Sequence, residues 1–154
     1  MARELPIAAI KALVGTEVFV SDWKAVSQEQ IDGFAAATGD HQWIHVDPVK
    51  AARGPFGKTI AHGFLTLSHI TFFGYQGAVS PVGAVMTINY GLNKVRFPNP
   101  VAVGARIRDR IVLVNVEEQP EGRILITTTH TIEIEGQRKP ACLAESLTLF
   151  FTQT

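Results

Sequence analysis

The 154-residue chain predicts a single α+β domain, residues 1–154, with a bent antiparallel sheet wrapped around one long central helix. Three observations carry this expectation. A capped amphipathic segment starts at Ser27. Residues 61–76 are apolar around most of a helical wheel, the pattern of a buried helix. The second half of the chain alternates apolar and polar residues in long runs separated by glycine turns.

The elements follow in order. Residues 4–14 suggest a short helix ending before Gly15, and Glu17 to Trp23 a short strand. Ser27 with Gln30 three residues later forms a capping box, and Val26 and Ile31 occupy the two staple positions around it. The helix continues through Ile31, Phe34 and Ala35, and Gly39 is its natural stop. Asp47-Pro48 opens another short helix, with Asp47 as N-cap and Pro48 in the first helical position, and Gly54-Pro55 ends it. In the apolar segment, Phe64, Leu65, Leu67, Ile70, Phe72 and Phe73 spread around the wheel.

Strands fill the rest. Residues 82–90 are rich in Val, Met and Ile. From 105 to 116, Ile107, Ile111 and Leu113 alternate with Arg106, Arg108 and Arg110. From 123 to 134, Ile124, Ile126, Ile132 and Ile134 share one face, and from 141 to 151 Leu143, Leu147, Leu149 and Phe151 are expected to share another. Glu121-Gly122 and Gly136-Gln137 stand where hairpin turns belong.

Composition narrows the class. Hydrophobic residues are 46% and charged residues 18%, the balance of a packed globular domain. Fourteen acidic and fourteen basic residues cancel, so the broad positive field of a nucleic-acid partner is missing. Near-zero charge with a high apolar fraction favours self-association. Cys142 is the single cysteine, which rules out an intrachain disulfide and speaks against a cysteine metal site. With no signal-like start and no apolar run of about 18 residues, a cytoplasmic protein without a membrane span is expected.

The candidate chemistry lies in two blocks. Gly39-Asp40-His41-Gln42-Trp43-Ile44-His45 puts a carboxylate and an imidazole five residues apart. Ile60-Ala61-His62-Gly63-Phe64-Leu65 puts a glycine at the head of the apolar helix, where backbone N–H groups lack intrahelical partners. An acid/base pair and an oxyanion donor are thus available. Read alone, Asp40 serves equally well as a turn cap and His45 as a structural histidine. Asp47 is explained by its N-cap position. His41, His45, His62 and His69 carry no metal-binding motif of the His-Glu-x-x-His kind, so no metal is expected. His130 falls on the isoleucine face of a strand and reads as buried and structural, and Cys142 as a small packed residue.

These blocks together resemble the MaoC-like, or (R)-specific enoyl-CoA hydratase, branch of the hotdog superfamily. Gly39, Asp40, Ile44 and His45 match the family's Gly-Asp-x-Asn-Pro-(Ile/Leu/Val)-His motif, and Ala61-His62-Gly63 its second block. Gln42 and Trp43 replace the usual Asn and Pro. That version, with Asn89-Tyr90-Gly91-Leu92-Asn93-Lys94-Val95-Arg96-Phe97-Pro98, is similar to the NodN-like subgroup.

The resemblance implies a hotdog fold, a homodimer, and reversible hydration of trans-2-enoyl thioesters carried by coenzyme A or acyl carrier protein. It implies no cofactor beyond the coenzyme A of the substrate. Asp40 and His45 would share the water, Gln42 would orient it, and Gly63 would supply the oxyanion N–H. Trp43, Phe64 and Thr71 are the expected substrate contacts, with Phe34, Phe56 and Phe73 as further candidates for an acyl tunnel. Arg96, together with Arg53, Lys58 and Lys94, is a candidate for coenzyme A phosphates. Two other readings stay open: a hotdog thioesterase, and a non-catalytic acyl-thioester-binding protein.

Overall fold

A computed structural model describes residues 3–153. Its element order is β1 (Arg3–Leu5), α1 (Ile7–Lys11), β2 (Glu17–Val20), β3 (Lys24–Ala25), α2 (Gln28–Thr38), α3 (Trp43–Val46), α4 (Pro48–Ala51), α5 (Gly63–Gly77), β4 (Val79–Pro81), β5 (Ala84–Arg96), β6 (Arg106–Gln119), β7 (Arg123–Ile134) and β8 (Cys142–Thr152). The main sheet is antiparallel in the order β2-β6-β7-β8-β5, with β3 also pairing β6, while β1 and β4 form a separate parallel pair. No helix among the described residues is long and apolar enough to cross a membrane.

Local chemistry accounts for the helix ends. Ser27 accepts from the Gln30 N–H while the Gln30 side chain accepts from the Ser27 N–H, which closes the expected box. Val26 and Ile31, the staple pair, are fully buried in the main core. Gly39 stops α2 at φ 80°, and its N–H donates to Ala35 at 2.8 Å. Asp47 accepts from the Lys50 N–H at 2.9 Å and starts α4. Because Gly39 turns the chain so sharply, Asp40 and His45 come back toward the head of α5 rather than running on along α2.

Several expectations change. The helix expected over 4–14 is only Ile7–Lys11, because Pro6 holds the residue before it extended, and Arg3–Leu5 pairs with β4 instead. The strand expected from Glu17 to Trp23 breaks after Val20, where the Ser21 hydroxyl accepts the Asp109 N–H at 2.9 Å in place of a backbone partner. The strand at 82–90 runs on to Arg96, its irregularities absorbed by bulges at Ala84/Met86, Asn89/Gly91 and Leu92/Val95. On β8 the expected face is reversed except at Leu149, which is buried. Cys142, Ala144, Ser146 and Phe150 are buried, whereas Leu143 is 41% exposed. The β7–β8 ladder decides this by pairing Ile132 with Cys142, His130 with Ala144 and Thr128 with Ser146, so even residues share the inner face of both strands.

The central helix is also less enclosed than its composition suggests. Leu65, Thr66, His69 and Phe73 are buried, but Phe64 is 69% and Tyr75 65% exposed, with Phe72 on the same stripe. Close packing anchors the helix at its far end: a Cβ on Gly77 would stand 2.3 Å from Cε2 of Phe19. The β6–β7 hairpin closes at Glu121 and Gly122, both at positive φ, as expected. The outer face of β6 carries ion pairs Arg108–Glu133 at 2.6 Å and Arg110–Glu17 at 2.7 Å.

Candidate functional site

The segment after α2 and the segment before α5 are tied together by backbone bonds. The Ile60 N–H donates to Ile44 at 3.0 Å across the two, while within the first the His45 N–H donates to Gln42 at 2.9 Å. His45 is buried and donates from Nδ1 to the Ile60 carbonyl at 2.7 Å. That bond puts a proton on Nδ1, so the neutral ring would present its lone pair at Nε2. His62, the residue just before α5, donates from Nε2 to the backbone carbonyl of Asp40 at 2.9 Å. Its ring stacks on His45 with centroids 3.8 Å apart and 25° between planes.

A carboxylate oxygen of Asp40 and one ring nitrogen each of His45 and His62 lie within 4.8 Å of one another. The carboxylate is exposed, and it accepts the Gln42 N–H at 3.3 Å, so Asp40 caps its own turn as well as facing the histidines. Among the described residues, the same three side chains are the ones that could ligate a metal ion, since each keeps an atom not committed to a carbonyl. His41 and His69 lie outside this group. Burial chiefly holds the His69 imidazole below its ordinary range, with Lys24 adding to the effect, and Nδ1 donates to Leu65 at 2.8 Å.

Gly63 is the first residue of α5, where first-turn N–H groups have no intrahelical acceptor. Its missing side chain also has a packing reason, because a Cβ there would sit 3.1 Å from the Phe97 ring. Gln42 is exposed immediately before α3. Trp43 packs elsewhere: its ring fills the space a Cβ on Gly54 would need, at 2.9 Å, and Lys50 Nζ lies 4.9 Å from its centroid. Phe64 meets Phe97 edge-on at 6.1 Å, and Arg96 folds back on the Val95 carbonyl at 2.7 Å. Among the expected substrate contacts, Thr71 is the one that lines the two cavities along α5. Phe73 is fully buried in the core, and Phe34 packs against the His62 ring at 5.0 Å.

Two features were not anticipated. Gln28, in the first turn of α2, donates from Nε2 to the His45 carbonyl at 2.8 Å and to Asp32 at 2.9 Å, and accepts from the Thr59 hydroxyl at 2.5 Å. It therefore braces both segments of the site. The second is the partner of His130: that histidine is buried in the sheet as expected, but Asp109 beside it is fully buried as well and accepts from His130 Nδ1 at 2.6 Å. Burial pushes the Asp109 carboxyl above its ordinary range, opposed by the bond from His130. The signal was present in the sequence: Asp109 and His130 fall in the apolar phase of two paired strands. Cys142 is fully buried near this pair, and burial foremost raises its thiol to about 11, which fits packing rather than nucleophilic chemistry.

Known proteins carry the same architecture. The MaoC like domain profile matches residues 10–135. A 3-hydroxyacyl-thioester dehydratase Z from Mycobacterium tuberculosis is 52% identical over 141 residues, covering 92% of this chain and 93% of that protein. Nodulation protein N from Rhizobium leguminosarum bv. viciae is 43% identical over 148 residues, covering 96% and 92%. A solved structure described as a monoamine oxidase regulatory protein from Archaeoglobus superposes with a TM-score of 0.80 at 25% identity, covering 100% of this chain and 99% of that one. With a buried histidine and a carboxylate gathered at the head of a sheet-wrapped helix, the chain belongs to the MaoC-like family of hotdog-fold hydratases and dehydratases.

Proposed function

We propose that the protein is an (R)-specific enoyl-thioester hydratase that runs reversibly as a 3-hydroxyacyl-thioester dehydratase, acting in the cytoplasm on chains carried by coenzyme A or acyl carrier protein. The observation that carries this reading is the gathering of Asp40 and His45 within 4.8 Å, beside the head of the helix that starts at Gly63. A water between the two side chains donates one O–H to the Asp40 carboxylate and the other to His45 Nε2. As the water oxygen bonds to C3, the pair takes its proton and returns one to C2. Charge developing on the thioester oxygen is met by the Gly63 N–H and the positive end of α5; such a donor is commonly worth about 3 kcal/mol. Gln42 steadies the water. The (R) outcome is taken from the family relationship.

Water, one acid/base pair and a backbone donor supply all the chemistry, so neither metal nor redox cofactor enters the reaction. Turnover is therefore expected to survive dialysis against a chelator. Loss of activity restored by added metal would transfer the role to the Asp40–His45–His62 group. A homodimer is part of the proposal. It is supported by the exposed stripe Phe64, Phe72 and Tyr75 on α5 and by β5, an edge strand carrying exposed Ile88, Tyr90 and Leu92.

The test is hydration of crotonyl-CoA and longer enoyl-CoA esters, with Asp40→Asn and His45→Gln each expected to lower turnover by about a hundredfold or more. No hydration at any chain length, or full activity in both variants, would refute the reading. Release of free thiol would indicate a thioesterase instead, and tight acyl-CoA binding without product a binding protein.

A further inference from the structure

A cavity of about 160 Å³ lies between the second half of α5 and the sheet. Ile70, Ile111, Ile126 and Phe150 give it apolar walls, but part of its lining is polar. There Thr128 Oγ1 and His130 Nε2 are 3.0 Å apart, and Ser146 Oγ is 3.1 Å from each of them. Behind this triangle His130 Nδ1 is held by the fully buried Asp109. Burying such a group beside an apolar pocket is costly unless its remaining bonding capacity is used.

That capacity can be counted. With Asp109 ionised, His130 Nδ1 carries a proton and donates it to the carboxylate. With a neutral ring, Nε2 accepts from one hydroxyl and that hydroxyl accepts from the other, which leaves only lone pairs for a ligand. With an imidazolium, Nε2 donates to a hydroxyl, and one hydroxyl proton is left over for a ligand. A ligand hydroxyl, both donor and acceptor, matches either state. A carboxylate matches only the second and faces the charge of Asp109, while a methyl group matches neither.

The same side chains have the connectivity of a nucleophilic triad, but acyl transfer does not fit. Ser146 sits in a central strand, laddered to Thr128 on one side and Leu92 on the other, so its backbone is committed to the sheet and is not an oxyanion cradle.

We propose that this cavity receives the distal part of an acyl chain bearing a hydroxyl group, recognised by His130, Thr128 and Ser146. This rests on the acyl-thioester reading above and names the substrate class it implies. A second cavity shares Ile70, Thr71, Asn89 and Ser146 with the first and reaches Leu67 and Ser68, toward the head of α5. At 1.5 Å per residue Thr71 lies about 12 Å along the axis from Gly63, so roughly ten carbons separate thioester and hydroxyl.

The test uses saturated thioesters, which cannot be hydrated, titrated calorimetrically into the full-length protein. Decanoyl-CoA is compared with 10-hydroxydecanoyl-CoA and with the ω-carboxy analogue. The hydroxylated chain is expected to bind about tenfold tighter than the plain chain, and the carboxylate weaker than the hydroxyl. Thr128→Val and Ser146→Ala, checked for folding by circular dichroism, are expected to abolish that preference. Equal or tighter binding of plain decanoyl-CoA, an intact preference in both variants, or no binding of either chain would overturn the proposal. Wild-type hydration of crotonyl-CoA, too short to reach the cavity, separates the two readings. Turnover without a hydroxyl preference sinks only this proposal, and a preference without turnover sinks only the hydratase reading.

Discussion

Replacing Gln28 with leucine tests whether the site is braced from α2. The substitution removes the donor to the His45 carbonyl and the acceptor of the Thr59 hydroxyl. Thr59 is 2% exposed, so water cannot replace the lost partner, and His45 is almost as deeply buried. Two stranded polar groups at about 1–3 kcal/mol each suggest a loss near 3 kcal/mol. For a chain of this size that lowers Tm by roughly 6–12 °C in a calorimetric scan. Adding Thr59→Val should recover about half of the loss, because removing both partners of a buried bond is far cheaper than removing one. Activity is not expected to recover with it, since the His45 carbonyl remains unheld; a decrease of roughly ten- to a hundredfold in kcat/KM should persist. A Tm within a degree of wild type, or a double variant with restored turnover, would refute the bracing argument.

Other perturbations probe packing and titration. Gly77→Ala drives a methyl to 2.3 Å from Phe19 and is expected to cost about 1–3 kcal/mol, relieved by a second change, Phe19→Leu, in a denaturant titration. His69 has its folded pKa below its unfolded value, mainly through burial, so the unfolded chain takes up the proton first as pH falls. The stability this contributes is full above the ordinary value of 6.5 and is lost as pH drops toward the folded pKa. His69→Phe should therefore show a smaller fall in Tm between pH 7.5 and 5.5 than wild type; an identical slope would count against the argument.

A residue's role is legible in the sequence where that role is local. Ser27 and Gln30, Gly39, Asp47-Pro48 and Glu121-Gly122 each act within a few residues, and each took its expected place. The Asp40 to His45 spacing was visible for the same reason, because one turn brings both to the helix head. A role is hidden where it depends on a partner far along the chain. Nothing local marks Gln28, since its partner Thr59 lies 31 positions away. Leu143, Leu147 and Phe151 outweigh Cys142, Ala144 and Ser146 in hydrophobicity, yet they point to the outer face of β8, Leu149 alone of the expected set being buried. The pairing with β7, where Ile132 and His130 already mark the inner face, decides this phase. Trp43 and Phe64 are tunnel candidates by residue type, and it is the distant Gly54 and Phe97 that set where their rings lie.

The strand register has a consequence for how this scaffold can diversify. Asp109, His130, Thr128 and Ser146 meet because three adjacent strands are aligned in one way, whereas Asp40, His45 and Gly63 meet through turns and two short connecting segments. Insertions and substitutions in those segments can drift without moving any strand. A point change on an inward-facing strand position can alter the chamber without disturbing the turns. The proposed catalytic group and the proposed chain-binding cavity therefore sit on parts of the molecule that vary by different kinds of mutation. A lineage built on this fold could exchange one substrate for another by single substitutions in β7 or β8 while its helix-head residues stayed the same.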